Sequence, residues 1–430
     1  MSLPSATVWE VRPTVGSDLN GGGFVAGASG TDFSQQNSAQ YSFTDLVSIS
    51  SLVVASASHN FVAADVGNLI NIASGTGFTP GWYEIVSVAA NQATLDRSPG
   101  TVGTGGAYAV GGALATIAVI PIVDGNTIWV KATGSLTVTA EWAPSLGSTN
   151  NPLSVIGYTT TRGDGGQFAW TTATNSVNIV NFQSGAGGYL FQNIIFSSSA
   201  GTPGFGLTNN NIPVGPVSCI NCAFSGFNHG IDGDFNARDR FTALLLIACE
   251  FSLCVEGIRN SGGTWMVGCY VHDNTGIGVN ANRSVEFYGL NMSRCVVYNN
   301  GSHGVAAVYD QNRPVSIINC ACVSNTGDGI HIAGGTPGGP FFIQNTILSN
   351  NGGWGINLAS STAIGWIGNW ANAFFGNTSG AKSSALLNGI GDVTLTAQPF
   401  TAPGSADFTL NSTAGGGAAC KTVGFPNSLP

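Results

Sequence analysis

The sequence predicts an all-β protein built on a parallel β-solenoid, because a strand–turn–strand unit recurs about every 25 residues in its second half. Short runs that alternate apolar and polar residues between Gly and Asn are typical of strands and turns. The chain is also rich in glycine, with 62 among 430 residues. The repeated glycine step occurs at Gly230-Ile231, Gly257-Ile258, Gly278-Val279, Gly304-Val305, Gly329-Ile330 and Gly355-Ile356.

Other repeat architectures fit this period poorly. Leucine-rich repeats have a similar length but need a leucine scaffold, which the chain does not show. Helical repeats are excluded by the abundance of Gly, Asn, Thr and Val and by the lack of a 3.6-residue apolar stripe. Short strands repeated at this period stack instead into coils joined by ladder hydrogen bonds.

Stacking places equivalent residues of successive coils about 4.8 Å apart, so side-chain rows can be predicted. One row is a buried thiol ladder formed by Cys222, Cys249, Cys269, Cys295 and Cys320. A second row is an asparagine turn ladder formed by Asn274, Asn300, Asn325 and Asn350. A third row follows each glycine step and should point outward, with Asp232, Arg259, Asn280, Ala306, His331 and Asn357.

The repeats divide the chain into three parts. Residues 1–112 carry alternating runs such as Asp65–Ile72 and Trp82–Val88, which predict a small antiparallel β module. Residues 113–390 are expected to form the solenoid, with less regular coils at its start. Residues 391–430 change pattern and are expected to cap it, because a solenoid needs an atypical end.

Composition excludes several classes of protein. Twelve Lys+Arg against 21 Asp+Glu give a net charge of −9, and no basic run offers a nucleic-acid surface. The first ten residues lack the cationic and apolar regions of a Sec signal peptide, and no apolar stretch is long enough for a spanning helix. Nine cysteines, an odd number spread over a large chain, predict reduced thiols rather than a disulfide scaffold. No cofactor motif is found.

The turn Asn325-Thr-Gly-Asp-Gly-Ile330 resembles a signature of the right-handed parallel β-helix repeat proteins, over roughly residues 180–390. The first 165 residues also resemble a group found in tailed bacteriophages, through Val8–Pro13, Gly16–Gly23, Phe61–Asn68 and Gly81–Val86. The first resemblance implies a right-handed parallel β-helix. The second implies a virion structural protein such as a fibre, spike or particle decoration.

Parallel β-helices also include polysaccharide hydrolases and lyases, so the resemblance calls for a search for paired carboxylates. The best candidates are Asp232, Asp234 and Asp239, in a segment where charge is several times denser than the chain average of 8%. An ordinary charged surface loop is the alternative. The motif His229-Gly-Ile-Asp232 resembles polygalacturonase motifs only in part, so no catalytic role is transferred from that family.

Other clusters are weaker. Trp354, Trp366 and Trp370 could stack on sugar rings, or form a hydrophobic cap or an oligomer contact. Cys219 and Cys222 have the spacing of half a zinc site, but no second pair follows. The outward row has a single acidic residue, which argues against a calcium cluster. His331 after Asp328, and Asp273 beside His272, are interpreted as polar positions on a wet surface, and no metal site is predicted.

Two functions remain open. The first is a structural virion protein that contacts other virion proteins and copies of itself, with a homotrimer as one arrangement. The alternative is a tailspike-like protein that binds or cleaves a host-surface glycan through the carboxylate cluster. The lack of a convincing catalytic set favours the structural function. The predicted location is the virion, with an extracellular or cell-surface location as the alternative, and no membrane insertion.

Overall fold

A computed structural model describes residues 3–146, 151–183, 187–209, 214–233, 241–260, 262–281, 289–308, 314–333, 340–359, 367–383, 386 and 389–423. The chain divides into two compact units. The first comprises residues 1–137, 146–170 and 187–194, and the second comprises residues 138–145, 171–186 and 195–430. Among the described residues, no α-helix combines the length and the apolar character needed to cross a bilayer.

The first unit contains a closed antiparallel barrel. Its apolar interior includes Leu46, Ile72 and Tyr108 from the strands, together with Phe61 from the segment before the 3₁₀ helix Ala63–Asp65. The barrel strands are Tyr41–Ser48, Val53–Ala55, Leu69–Phe78, Gly81–Ala89, Gln92–Leu95 and Gly100–Val110. Two short 3₁₀ helices, Phe33–Gln35 and Ala63–Asp65, belong to the same unit.

A parallel ladder in the first unit begins with strand Thr7–Val11, ahead of the barrel in sequence. This strand pairs antiparallel with Gly23–Val25 and parallel with Thr127–Lys131. The ladder continues through Leu153–Tyr158 to Tyr189–Gln192. The boundary predicted at residue 112 therefore separates Thr7–Val11 in sequence from the strand with which it pairs.

A buried ionic network in the first unit centres on Glu10, which is fully buried. Nε of Arg12 donates to Oε1 of Glu10 at 2.9 Å, and Nε of Arg162 donates to Oε2 at 2.9 Å. The hydroxyl of Tyr158 also donates to Oε1. Burial together with this contact raises the pKa of Tyr158 well above its usual value, so the phenol stays a donor. Arg162 also contacts Asp32, at 3.1 Å.

The second unit contains the regular β-solenoid, in which each coil contributes one strand to each of three parallel sheets. In this unit, sheet 1 comprises Val217–Ile220, Ala243–Ile247, Gly263–Val267, Leu290–Ser293, Val315–Ile318, Phe341–Gln344 and Ile367–Trp370. Sheet 2 comprises Ile194–Ser198, Ala223–Ser225, Glu250–Ser252, Tyr270–His272, Val296–Tyr298, Ala321–Val323, Ile347–Ser349, Ala373–Phe375 and Val393–Thr394. Sheet 3 comprises Val180–Phe182, Phe205–Asn209, His229–Gly233, Glu256–Asn260, Val279–Ala281, Val305–Val308, Ile330–Ala333, Trp354–Leu358 and Gly380–Lys382. Sequence boundaries between the units fall within Ile194–Ser198 of sheet 2 and within two more strands, Leu136–Val138 and Phe168–Thr172.

The thiol row lies just after the turn from sheet 1 to sheet 2. Its five cysteines are all buried and free. In the next two coils Thr346 and Asn372, both fully buried, stand in the corresponding position before the sheet 2 strand. Burial raises the pKa of the Cys219 and Cys295 thiols, which keeps them neutral. Cys219 and Cys222 thus act as small apolar side chains in the core.

The asparagine ladder lies after sheet 2, and its last predicted member was wrong by one residue. Nδ2 of Asn325 donates at 3.0 Å to Oδ1 of Asn351, not to Asn350. Asn350 instead has a left-handed backbone with a φ of 57°, as does the residue before each other ladder asparagine. An asparagine fits the ladder position and also the left-handed position before it, because Asn tolerates the left-handed region. Spacing alone therefore could not tell which of the two consecutive asparagines belongs to the ladder. The row is Asn274, Asn300, Asn325, Asn351 and Asn377.

The C-terminal segment lies along the outer face of sheet 2. It contains the antiparallel pair Phe400–Ala402 and Asp407–Leu410, the 3₁₀ helix Pro403–Ser405 and the α-helix Gly417–Thr422. Leu395, Phe400, Phe408, Leu410 and Cys420 pack on the apolar outward positions of sheet 2, namely Val296, Ala321, Val323, Ile347 and Ala373. The tail therefore shields a sheet face that would otherwise expose apolar side chains to water.

Candidate functional site

The outer face of sheet 3 carries two parallel rows of side chains, which together we call the sheet 3 strip. One row precedes the glycine steps and contains His229, Glu256, Ile277, His303, Asp328 and Trp354. The other follows them and contains Asp232, Arg259, Asn280, Ala306, His331 and Asn357, paired coil to coil by the strand register. The strip thus holds three of the five histidines of the chain.

Glycine between the two rows lets the coils approach closely. A Cβ on Gly257 would lie 2.7 Å from the carbonyl oxygen of Gly278 and 2.8 Å from Cγ1 of Val271. Any larger residue would push neighbouring coils apart. The repeated glycine step therefore helps to hold the two rows of the strip in register.

The first cluster in the strip joins two coils through His229. Nδ1 of His229 lies 3.2 Å from Oδ2 of Asp232, and Nε2 lies 3.7 Å from Oε2 of Glu256. Nε of Arg259 lies 3.6 Å from Oδ1 of Asp232, and Nδ2 of Asn280 donates to Glu256 at 3.0 Å. The aromatic ring of Phe205 stacks on the imidazole at a centroid distance of 5.1 Å.

This arrangement gives the three ionisable groups around His229 different roles. Asp232 was expected to point outward, but it is fully buried, so it can orient His229 and pair with Arg259 rather than meet a ligand. Glu256 keeps 17% of its side chain exposed. An imidazole held by a buried carboxylate beside a more accessible one is suited to proton transfer.

The second cluster joins His303, Asp328 and His331. Nδ1 of His331 lies 2.7 Å from Oδ2 of Asp328, and Nδ1 of His303 lies 3.4 Å from the same oxygen. The two imidazoles stack with their centroids 4.2 Å apart. Burial and the neighbouring His331 lower the pKa of His303. Burial acts to raise the pKa of Asp328, but hydrogen bonds from His331, Asn357 and the backbone N–H of Trp354 outweigh it and lower that pKa.

A third histidine cluster lies on sheet 2, outside the strip. His272 contacts Asp273 at 2.7 Å and Glu250 at 3.1 Å, and it stacks on Tyr298 at 4.6 Å. Burial acts to lower the pKa of His272, but the hydrogen bonds with the two carboxylates outweigh it and raise that pKa. The contact with His272 lowers the pKa of Glu250.

These opposite shifts predict the order in which two histidines titrate. We expect NMR to show His272 losing its proton above pH 6.5 and His303 below it, because 6.5 is the unperturbed value for both. The raised His272 pKa contributes stability that is lost as pH rises through its folded value. The lowered Glu250 pKa contributes stability that is lost as pH falls, so their contact stabilises most between pH 4.5 and 6.5.

The variant His272→Gln assigns the His272 resonance in the NMR spectrum. It should remove the titration above pH 6.5 and leave that of His303 unchanged. A titration of His303 at higher pH than His272 would contradict the two environments described above.

The other candidates from the sequence are dispersed or lie outside the described residues. Asp234, Asp239 and Trp366 are outside them. Trp354 stands at one end of the strip, whereas Trp370 lies on sheet 1 near Phe342, with ring centroids 5.8 Å apart. The two described tryptophans therefore do not share one platform. Sequence reasoning did not predict that Glu256 and His303 belong to one row of side chains, although both directly precede a glycine step.

Comparison with known proteins identifies the solenoid. Residues 203–371 match the model of the right handed beta helix region, and no curated protein matches the chain. The chain is similar to the crystal structure of pectate lyase Pel9A, with 12% identity over 71% of this chain and 85% of that one and a TM-score of 0.48. It is also similar to the Azotobacter vinelandii mannuronan C-5 epimerase AlgE4 A-module, with 9% identity over 63% and 91% of the two chains and a TM-score of 0.33. A third similar structure is the periplasmic alginate epimerase AlgG, with 12% identity over 64% and 78% and a TM-score of 0.30.

Proposed function

We propose that this right-handed parallel β-helix protein binds a linear polysaccharide along the sheet 3 strip. The observation that carries the proposal is the concentration of charge, since only 8% of the residues are charged. Within six coils the strip gathers three carboxylates, one guanidinium and three imidazoles. The partly exposed members of the strip, such as Glu256, Arg259 and His331, can hydrogen-bond successive sugar hydroxyls, while the rings of Trp354 and Phe205 offer apolar faces at its ends.

The dimensions of the strip suit an extended ligand. From the coil of His229 to that of Trp354 there are five coil steps, or about 24 Å at about 4.8 Å each. Parallel strands stack in register along the strip. An extended ligand can therefore contact side chains of successive coils.

The His229 cluster is the proposed point of strongest contact and of any proton transfer. Arg259 and Glu256 come from the same strand, and His229 faces them from the preceding coil. A hydrogen bond to a charged group contributes about 1.5–3 kcal/mol. The accessible Glu256 is therefore the side chain whose loss should weaken glycan binding most clearly.

We expect Glu256→Gln to weaken polysaccharide binding by roughly 10–100-fold, the equivalent of one charged hydrogen bond. Binding is first screened on a panel of pectic, alginate, glucan and bacterial surface polysaccharides, and affinity is then measured by calorimetry. The matched control is Glu250→Gln, which makes the same change on sheet 2. Equal affinities for the two variants, or no ligand in the panel, would contradict the proposal.

A structural role in a phage particle is the second candidate, favoured by the apolar outer face of sheet 1. Trp265 and Val267 are 43% and 41% exposed and lie on the same strand, near Leu245 and Ile247 of the preceding coil. A low-charge apolar face suits contact with another chain, since few ions are desolvated. Immunogold labelling at a fixed position on phage particles would support this role, and label on cell surfaces with bare particles would oppose it.

A further inference from the structure

Three side chains of the second strip cluster converge on one small volume. His303 comes from one coil, while Asp328 and His331 come from the next coil and flank its glycine step. One donor atom from each of the three lies within 4.8 Å of the other two. We infer that His303, Asp328 and His331 form a binding site for a divalent first-row transition metal ion such as Zn²⁺.

The donor set selects this class of ion. Two imidazole nitrogens and one carboxylate are a frequent set for Zn²⁺ and for other transition metals. Calcium prefers six to eight oxygen ligands and magnesium an octahedron of oxygens, neither of which two imidazoles provide. The site would thus prefer transition metal ions over Ca²⁺ and Mg²⁺ because of its nitrogen ligands, although all of these ions carry the same charge.

Hydrogen bonds already orient the carboxylate and one imidazole. Oδ1 of Asp328 accepts from the backbone N–H of Trp354 at 2.7 Å, and Oδ2 accepts from Nδ2 of Asn357 at 2.9 Å. The backbone N–H of Asp328 donates to Nδ1 of His303 at 3.0 Å, so this nitrogen is unprotonated and already accepts a hydrogen bond, which a metal ion on Nδ1 would replace. The two bonds to the Asp328 carboxylate reduce the reorganisation that a metal would require there.

The cluster also leaves room for a further ligand. The side chains of His303 and His331 are 26% and 19% exposed, whereas that of Asp328 is 6% exposed. A metal held by three protein donors at an accessible surface keeps a coordination position for water or for a ligand oxygen. The site is separated from the His229 cluster by the coil of Asn280, and it does not depend on the proposed polysaccharide function.

The test uses the full chain without a histidine tag, first dialysed against a chelator. Titration with Co²⁺ alone should give one equivalent bound with visible d–d absorption, and calorimetry with Zn²⁺ should give the same stoichiometry. The bound ion should also raise the unfolding temperature, because it binds the folded chain. Neither experiment contains a glycan, so failure of the polysaccharide proposal leaves their outcome unaffected.

Variants separate this site from adventitious binding. We expect Asn357→Ala to weaken Zn²⁺ binding about 10–100-fold, as for a residue that supports a ligand, and His303→Gln/His331→Gln to weaken it further and abolish the Co²⁺ spectrum. The control His272→Gln removes a histidine from sheet 2 and should bind like the parent. Absence of 1:1 binding in the parent, or parental binding by the double variant, would overturn the inference.

Discussion

Replacing Glu10 by glutamine should lower the free energy of unfolding by about 3–5 kcal/mol, the usual loss when one partner of a buried ion pair is removed. Glutamine has almost the same shape, so the effect comes from charge rather than from a cavity. Arg12 and Arg162 both donate to the Glu10 carboxylate. Both guanidinium groups would then lack their shared anion in a site with little access to water.

The other contacts of the two arginines limit the loss but do not prevent it. Arg12 also donates to Oδ1 of Asn37 at 2.8 Å and to the carbonyl oxygen of Gln35 at 2.6 Å. These acceptors are neutral, so they satisfy hydrogen-bonding geometry without balancing the charge. Arg162 keeps the carboxylate of Asp32, which is why we expect a loss near the lower end of the range.

Urea unfolding followed by tryptophan fluorescence and circular dichroism measures this loss. Tyr158→Phe removes one hydrogen bond to Glu10 and leaves every charge, so it should cost only about 1 kcal/mol. Glu141→Gln makes the same chemical change on an exposed side chain that accepts from Asn178 and Asn181, and should cost less than about 0.5 kcal/mol. If Glu10→Gln cost no more than Glu141→Gln, the network would contribute nothing through charge.

The regular part of the fold was predictable because the same physical requirement recurs in each coil. Close stacking demands glycine at the sheet 3 step, and a buried position after sheet 1 accepts a small side chain such as Cys249 or Cys295. Both requirements therefore appear in the sequence as the same residue type recurring at a fixed period. The strip itself could be predicted only in part, because its first row includes Ile277 among polar residues and so shows no common chemistry.

Contacts between segments that do not repeat could not be predicted from a period in the sequence. The pairing of Thr7–Val11 with Thr127–Lys131 joins residues more than a hundred positions apart, and no repeat points to it. The packing of Phe400 and Phe408 on sheet 2 also depends on where the tail folds back. The sequence pattern assigned Asp232 to an outward row, but its complete burial depends on the groups around it rather than on strand period.

Replacing Asn351 by alanine should lower the free energy of unfolding by about 3–5 kcal/mol, because several buried polar groups lose their partners at about 1–3 kcal/mol each. Oδ1 of Asn351 accepts from the backbone N–H and Nδ2 of Asn325, at 3.1 and 3.0 Å. Its Nδ2 donates to the carbonyl oxygen of Cys322 at 3.0 Å and to Oδ1 of Asn377 at 2.8 Å. Alanine can replace none of these bonds.

The neighbouring residue supplies a matched control that also tests the assignment of the ladder. Asn350 has a left-handed backbone, which glycine adopts without strain, so Asn350→Gly should change the free energy of unfolding by less than about 0.5 kcal/mol. Both variants are compared by urea unfolding under identical conditions. A larger loss for Asn350→Gly than for Asn351→Ala would show that Asn350 is the buried ladder residue. We expect the larger loss of unfolding free energy for Asn351→Ala, because the buried amide of Asn351 is hydrogen-bonded to the coils on both sides of it. Each buried polar group of such a ladder stabilises the fold only while its hydrogen bonds are satisfied.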